Sequence, residues 1–268
     1  MFEDSLLIVA HPDDDILWLS SVLDKVGQIV FCFNDMPHRE DIGDARKKTI
    51  AEYPLANVST LDIVEARSFN KADWNNPVIT DYGIELGKNR HVDARYRAAY
   101  EDVVSAARQL LAGRKNVYTH NPWGEYGHED HILVYRALKT LQAEFGYTLW
   151  FSNYCSNRSV TLMNDYISGF NSDYECLPAN RSLAQDIARL YEQHNCWTWF
   201  TDYQWFEHEC LMRDGPVSRE PASLSYGHNF PVNYLKVPLP EENTPAQPAP
   251  GLFARIAGRI RRASGRAR

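Results

Sequence analysis

Short apolar runs alternate with segments of helical periodicity along the first 150 residues. The apolar runs, rich in branched and aromatic side chains, predict strands at 6–10, 28–33, 59–64, 116–119 and 147–152. The intervening segments predict helices at 14–26, 43–56, 93–112 and 129–145. Strands that alternate with helices form parallel sheets covered on both faces, so the pattern predicts an α/β fold. We expect a Rossmann-like, three-layer α/β/α arrangement with a mostly parallel sheet.

The alternation weakens beyond Asn153, where aromatic residues become dense. Seven of them lie within sixteen residues, at Tyr191, Trp197, Trp199, Phe200, Tyr203, Trp205 and Phe206. Their spacing partly matches one face of a helix, which favours core packing, and a platform that stacks a sugar is the alternative. We therefore expect a C-terminal aromatic-rich extension within a single domain that covers residues 1–237.

Two further segments follow this domain. Prolines recur through residues 238–250 and predict a stiff, extended linker. Residues 251–268 contain six arginines and no acidic residue. Their apolar residues would share one side of a helix, which is typical of a basic helix lying on a membrane surface. A disordered, solubilising tail is the alternative, since Gly258 and Gly265 weaken a helix.

Composition excludes several classes of protein. The net charge of −7 argues against nucleic acid as a partner, because neutralising phosphates requires a basic surface. The five cysteines are odd in number and scattered, so they indicate neither a zinc ribbon nor a disulfide framework. The acidic N-terminus does not resemble a secretory signal, and no run approaches the ~18 apolar residues of a membrane span. We expect a cytoplasmic protein, at the inner face of the membrane if the tail binds lipid.

Polar segments follow the predicted strands. Residues 11–15 come after the first strand, Asn34 and Asp35 after the second, and residues 121–131 after the fourth. The carboxyl ends of parallel strands share one edge of a sheet, and ligands bind there. The long segment 65–91 follows the third strand onto the same edge, which favours a functional loop that caps the pocket.

The segment His-Pro-Asp-Asp-Asp at 11–15 carries the first candidate metal ligands. His11 and Asp14 lie three positions apart, at the point where a strand turns into a helix, so their side chains can converge on a zinc ion. His131 would complete the set and leave one position for water. Asp13 would accept the proton of that water. Acidic residues at 13–15 are also typical of a helix start, but this alternative does not explain the two histidines.

The segment His-Glu-Asp-His at 128–131 supplies the remaining chemistry. His128 and His131 lie one helical turn apart, so one can bind metal while the other faces a reacting carbonyl. As an imidazolium, His128 would stabilise an oxyanion and protonate a leaving amine, with Asp130 as its orienting partner. A polar helix start after the turn 123–127 is the alternative. Two imidazoles and one carboxylate suit zinc and also accept iron or cobalt.

These two motifs, Ala-His-Pro-Asp-Asp after a first strand and Gly-His-Glu-Asp-His before a helix, resemble those of the PIG-L/LmbE-like deacetylases over residues 5–150. The resemblance implies a zinc-dependent enzyme that removes the N-acetyl group from N-acetylglucosamine in conjugates. It also implies residue roles that agree with the chemistry above: His11, Asp14 and His131 as zinc ligands, Asp13 as general base and His128 as acid and electrostatic partner.

The resemblance implies two further residues. Tyr126 matches a position at which some relatives have a tyrosine that contacts the oxyanion, and Arg46 resembles an arginine that holds substrate. The chain departs from the common pattern at Asp15, where a glutamate is usual, and the part beyond Asn153 does not align.

The expected function is zinc-dependent N-deacetylation of an acetamido sugar in a glycoconjugate, lipid-linked if the tail meets a membrane. An amidase that removes a larger acyl group is one alternative. A Rossmann-like sugar-binding module without catalysis is another. A dinucleotide oxidoreductase is disfavoured, because no Gly-x-Gly-x-x-Gly follows the first strand and its carboxylates would repel a pyrophosphate.

Overall fold

The computed structural model describes residues 2–37, 39–87, 90–167, 174–215 and 231–238. The strands in these ranges are β1 Ser5–Val9, β2 Ile29–Asp35, β3 Val58–Val64, β4 Ile79–Thr80, β5 Gly83–Ile84, β6 Asn116–Thr119, β7 Thr148–Ser152, β8 Tyr154–Ser156, β9 Tyr174–Pro178, β10 His208–Arg213 and β11 Asn233–Leu235. The helices are α1 Asp14–Trp18, α2 Glu40–Ala51, α3 Arg90–Arg108, α4 Glu129–Phe145, α5 Val160–Ile167 and α6 Arg181–Gln193.

The main sheet has seven strands in the order β3-β2-β1-β6-β7-β10-β9. The first five in this order are parallel, and β10 runs antiparallel to both β7 and β9. The strand order reverses between β1 and β6, and in such sheets the ligand crevice lies outside the carboxyl ends at this reversal. The predicted α/β fold with a mostly parallel sheet is confirmed.

Alternate residues of the central strands enter two different cores. Leu6 and Ile8 of β1 belong to the apolar cluster that includes residues of α3 and α4. Leu7 and Val9 belong to a second cluster that includes residues of α1 and α6. All four side chains are fully buried, as expected for a strand covered on both faces. The molecule therefore has the three layers that the sequence predicts.

The predicted helix at 14–26 is wrong in its length. Helix α1 ends at Trp18, and only a 3₁₀ turn at Ser20–Val22 follows. The backbone amides of Ser20 and Ser21 donate to the carboxylate of Glu209, at 3.2 and 2.8 Å, and so do not continue the helical ladder. A buried carboxylate from distant strand β10 therefore ends this helix. The predicted helices 43–56 and 93–112 lie within five residues of the bounds of α2 and α3, and the bounds of α4 are identical to the prediction, whereas α5 and α6 were not predicted.

The part beyond Asn153 belongs to the main fold and is not an appended extension. Strands β9 and β10 complete the sheet, and α6 packs against α1 and α2. Cys176 of β9 and Cys210 of β10 form a disulfide, which the scattered cysteines of the sequence did not indicate. Register explains it: the two cysteines lie directly opposite each other on neighbouring antiparallel strands, a relation that spacing in the sequence does not reveal.

Residues 239–268 lie outside the described residues, so the proline-rich linker and the basic tail at 251–268 stay predictions. Among the helices that the structure describes, none has the length and apolar character needed to cross a bilayer.

Candidate active site

The polar segments meet at the carboxyl edge of the sheet, as predicted. His11 is the second residue after β1, and the segment that begins at His120 directly follows β6. The loop after β3 arrives on the same edge, where Ser68 Oγ donates to Asp130 Oδ1 at 2.5 Å. Every side chain in this group that the sequence singled out as a metal ligand is less than one tenth exposed. The edge therefore holds a buried polar cluster.

His11, Asp14 and His131 form a compact group of possible metal ligands. His11 Nδ1 lies 3.2 Å from Asp14 Oδ2, and His131 Nε2 lies 3.2 Å from Asp14 Oδ1. The ligand atoms of the three side chains all lie within 4.8 Å of one another. The structure thus brings together the three residues that the sequence predicted as zinc ligands, although they come from segments more than a hundred residues apart.

One nitrogen in this group has no hydrogen-bond partner. His131 Nε2 is buried and makes no hydrogen bond within the described residues, although it faces Asp14. A buried polar atom without a partner is costly, and a cation between these side chains would remove the cost. Two imidazoles and one carboxylate are also a donor set that zinc takes in hydrolytic sites. The residues present therefore fit a zinc ion.

Glu125 and His120 support this group from behind. Both are fully buried. Glu125 Oε2 accepts hydrogen bonds from His131 Nδ1 at 2.7 Å and from His120 Nδ1 at 3.1 Å. The ring of His120 stacks on that of His131 at 3.8 Å, and its Nε2 accepts the amide hydrogen of Ala10. A carboxylate on Nδ1 fixes the tautomer of a ligating histidine and leaves Nε2 for a metal.

Sequence reasoning missed Glu125 and His120 because the segment around Glu125 was interpreted as a turn. It is indeed a turn: Glu125 has φ 49°, and Gly124 has φ 70° with no room for a side chain, since a Cβ there would lie 2.6 Å from the His128 carbonyl oxygen. The available signal was that a histidine and a glutamate, His120 and Glu125, lie between β6 and α4 in addition to the residues of the two motifs.

Asp13 occupies a strained position beside the ligand group. Its φ of 107° is unfavourable for a residue with a side chain, and such strain is found at functional sites. Its carboxylate does not cap α1 but accepts a hydrogen bond from Thr198 Oγ1 at 2.6 Å. Burial and the charge of Asp14 raise the pKa of Asp13 to about 7. Asp13 therefore does not make the side-chain hydrogen bond to a helix amide that is expected if it simply starts a helix.

His128 lies next to the ligand group, with its ring stacked on that of His131 at 4.7 Å. Its Nδ1 accepts the amide hydrogen of Asp130 at 3.1 Å, so the ring proton of the neutral form is on Nε2. Burial and the neighbouring charges of His131 and His11 hold the pKa of His128 well below its usual 6.5. The ring is therefore neutral in the metal-free chain, and the expected role of His128 as an imidazolium acid stays a prediction.

The carboxylate of Asp130 contacts His11 rather than His128. Asp130 Oδ2 lies 3.3 Å from His11 Nε2, while Oδ1 accepts from Ser68. Only the backbone amide of Asp130 orients His128. This differs from the expected pairing, and the reason is the start of α4: the N-cap position of His128 directs its Nδ1 to the amide two residues ahead.

Glu129 anchors the loop after β3. Its carboxylate is fully buried and accepts the backbone amides of Asn70, Lys71 and Ala72 at 2.9 to 3.2 Å, as well as the indole N–H of Trp74. Arg158 balances its charge at 3.5 Å. The loop thus holds Phe69 against His128, with the ring centroids 4.7 Å apart.

The two residues implied only by the resemblance also lie near this group. The ring of Tyr126 is 5.5 Å from that of His131. Arg46 is buried in the middle of α2, not at its start, and its Nη1 donates to Glu65 at 2.8 Å. Glu65 Oε1 is in turn 3.8 Å from His11 Nε2. Whether Tyr126 and Arg46 touch a substrate stays a prediction.

A Rossmann-like sheet with a buried His/Asp cluster at the carboxyl ends of its central strands defines a hydrolase-type site. The model of the family PIG-L, described as GlcNAc-PI de-N-acetylase, matches residues 6–142, which is half of the chain. The chain therefore belongs to the PIG-L family.

Individual relatives are distant. The uncharacterized protein L374 of Acanthamoeba polyphaga mimivirus is 22% identical over 199 residues, which cover 72% of this chain and 81% of that protein. The crystal structure of the zinc-inhibited form of teicoplanin deacetylase Orf2 superposes with a TM-score of 0.51 at 12% identity, covering 79% of this chain and 99% of that one. This likeness supports the deacetylase fold.

Proposed function

We propose that the protein is a zinc-dependent hydrolase that removes the N-acetyl group from an N-acetylglucosamine-type sugar in a glycoconjugate. The observation that carries the proposal is the ligand group of His11, Asp14 and His131, whose ligand atoms all lie within 4.8 Å of one another. Membership of a family described by a de-N-acetylase supports the same reaction. Acetate and a free amino sugar would be the products.

His11, Asp14 and His131 would hold the zinc ion. When bound, zinc supplies Lewis acidity, which polarises the acetyl carbonyl and lowers the pKa of water. Asp130 would keep His11 oriented through its Nε2, and Glu125 would do the same for His131 through its Nδ1.

Asp13 is the proposed general base. Its carboxylate is buried beside the ligand group, where it would accept a proton from the attacking water and then return it to the departing amine. Thr198 donates to the carboxylate and keeps its position. The neutral His128 would donate a hydrogen bond from Nε2 to the oxygen that becomes negative, with Tyr126 beside it.

Acetate release tests the proposal directly. The zinc-loaded chain is incubated with N-acetylglucosamine conjugates, including glycolipid, nucleotide-sugar and glycopeptide examples, and acetate is quantified. We expect release from at least one conjugate and none with Asp13→Asn. Faster cleavage of longer acyl amides than of acetyl would favour the alternative amidase. Saccharide binding without hydrolysis of any conjugate would favour the inactive binding module.

A further inference from the structure

Four aromatic rings form a continuous row beside the candidate active site. Neighbouring ring centroids are 6.2 Å apart for Phe69 and Tyr126, 4.7 Å for Tyr126 and Trp199, and 5.1 Å for Trp199 and Phe200. We call these four residues the aromatic row. Its two end rings reach solvent, since Phe69 is 44% exposed and Phe200 is 39% exposed.

The aromatic row runs directly beside the candidate catalytic residues. Phe69 stacks on His128, and Tyr126 lies against His131. Thr198, the residue before Trp199, donates its hydrogen bond to Asp13. A ligand that lies along the row therefore has one part next to Asp13 and His128.

The Phe200 end of the row borders a pocket between α6 and residues 197–205. This pocket has a volume of ≈ 210 Å³. Its apolar walls are formed mainly by the rings of Trp197, Phe200, Tyr203 and Trp205. Side chains of α6 add an amide, a guanidinium and a carboxylate at Gln185, Arg189 and Glu192. Aromatic walls with a few polar groups match a sugar ring, which has apolar C–H faces and hydroxyl edges.

The two arginines beside the row and the pocket are already paired with carboxylates, which disfavours an anionic ligand. Arg158, next to Phe69, pairs with Glu129, and Arg189 pairs with Asp186. The exposed rings at the two ends are single side chains and do not form the broad apolar patch that a lipid surface would require. A neutral polyhydroxyl ligand suits the aromatic walls together with the amide, guanidinium and carboxylate groups of α6.

We propose that the pocket beside Phe200 is a second saccharide subsite, which binds a sugar residue of the substrate other than the one that carries the reacting acetamide. Trp199 connects this subsite to the residues around Asp13. The inference rests on the proposed function for its choice of ligand, because it takes an acetamido sugar as the group at the catalytic residues.

Binding of saccharides of increasing length tests the subsite. The probes are N-acetylglucosamine and its β-linked oligomers of two to four residues, titrated calorimetrically into the full-length, zinc-loaded protein carrying Asp13→Asn to prevent turnover. We expect at least one oligomer to bind about fivefold more tightly than the monosaccharide, the contribution of one aromatic contact. Phe200→Ala in the same background should remove this gain and leave monosaccharide affinity unchanged.

Val78→Ala is the matched control, because Val78 is 53% exposed, apolar and outside the row, and it should keep the gain. Equal affinity for all lengths, or a gain that survives Phe200→Ala, would overturn the subsite. Acetate release by the unmodified protein separates the two proposals. Release without a length dependence keeps the function and rejects the subsite, whereas a length dependence without release keeps the subsite and rejects the function.

Discussion

Replacing Glu125 by Gln should weaken zinc binding, although Glu125 is not itself one of the three proposed zinc ligands. The carboxylate accepts four hydrogen bonds: Oε2 from His131 Nδ1 and His120 Nδ1, and Oε1 from Asn121 N at 2.8 Å and Ser152 Oγ at 3.4 Å. An amide has only one oxygen, so one of these pairs of donors must face an N–H group. If the pair is that of the imidazoles, His131 must move its proton to Nε2 or turn away.

The expected loss follows from this geometry. Removing a partner that orients a metal-binding histidine typically lowers metal affinity about 10- to 100-fold, or roughly 1.4 to 2.7 kcal/mol. Zinc affinity can be measured by competition with a chromophoric chelator, and metal content by mass spectrometry under native conditions. Glu144→Gln is the control: Glu144 is 49% exposed and pairs with Arg108 on the surface, so zinc affinity should not change.

A zinc affinity of Glu125→Gln equal to that of the unmodified chain would refute this reasoning. A circular dichroism spectrum that shows an unfolded variant would mean that the loss of zinc binding comes from unfolding and not from the local hydrogen bonds. In that case Ser152→Ala, which removes only the weakest of the four donors, provides a milder test and should weaken zinc binding less than tenfold.

Three further predictions concern neighbouring groups. Burial opposes protonation of His11 and His131, but hydrogen bonds and charges of their acidic neighbours raise the pKa values to about 10 and about 9 in the metal-free chain. Zinc must displace these protons, so the affinity for zinc should rise from pH 6 to 9. Calorimetry in buffers of different ionisation enthalpy should detect the proton release, and its absence would contradict the prediction. Thr198→Val removes a hydrogen bond that lowers the pKa of Asp13, so the acidic limb of the pH–rate profile should move to higher pH. Thr198→Ser should leave this limb in place, and an unchanged limb in both variants would count against Asp13 as the base. Glu129→Gln should speed hydrogen exchange at the amides of residues 70–72 about tenfold or more, because their acceptor loses its charge; exchange as slow as in Glu144→Gln would show that the loop does not depend on this anchor.

The sequence predicts the first half of the sheet well because the information there is local. Strand β1 is a continuous apolar run, and α4 begins at a residue where the apolar period, the acidic first turn and the preceding glycine agree. Strands β9 and β10 were not found, since β9 is mostly exposed and β10 mixes charged and apolar residues. The pairing of β10 with β7 and of β9 with β10 joins segments that are distant in the sequence, which periodicity does not reveal.

In the candidate site, too, some residues could be predicted from local sequence and others only from the fold. His11 and Asp14 could be paired from their spacing, and His131 from the second motif. Glu125 could not, because nothing in a turn sequence shows whether a carboxylate points to solvent or towards a histidine six residues ahead. Thr198 comes from a segment that packing among aromatic residues places beside Asp13.

The carboxylate of Glu209 has a consequence for how the chain can be divided. The family match ends at residue 142, yet Glu209 holds Ser20 and Ser21, only a few residues after the first motif, and Tyr154 donates to the same carboxylate at 3.1 Å. A fragment trimmed to the matched region would lose this brace together with Thr198. The matched half therefore depends on contacts from later strands and loops, and a minimal version of the protein that keeps them has to retain the chain at least through β10.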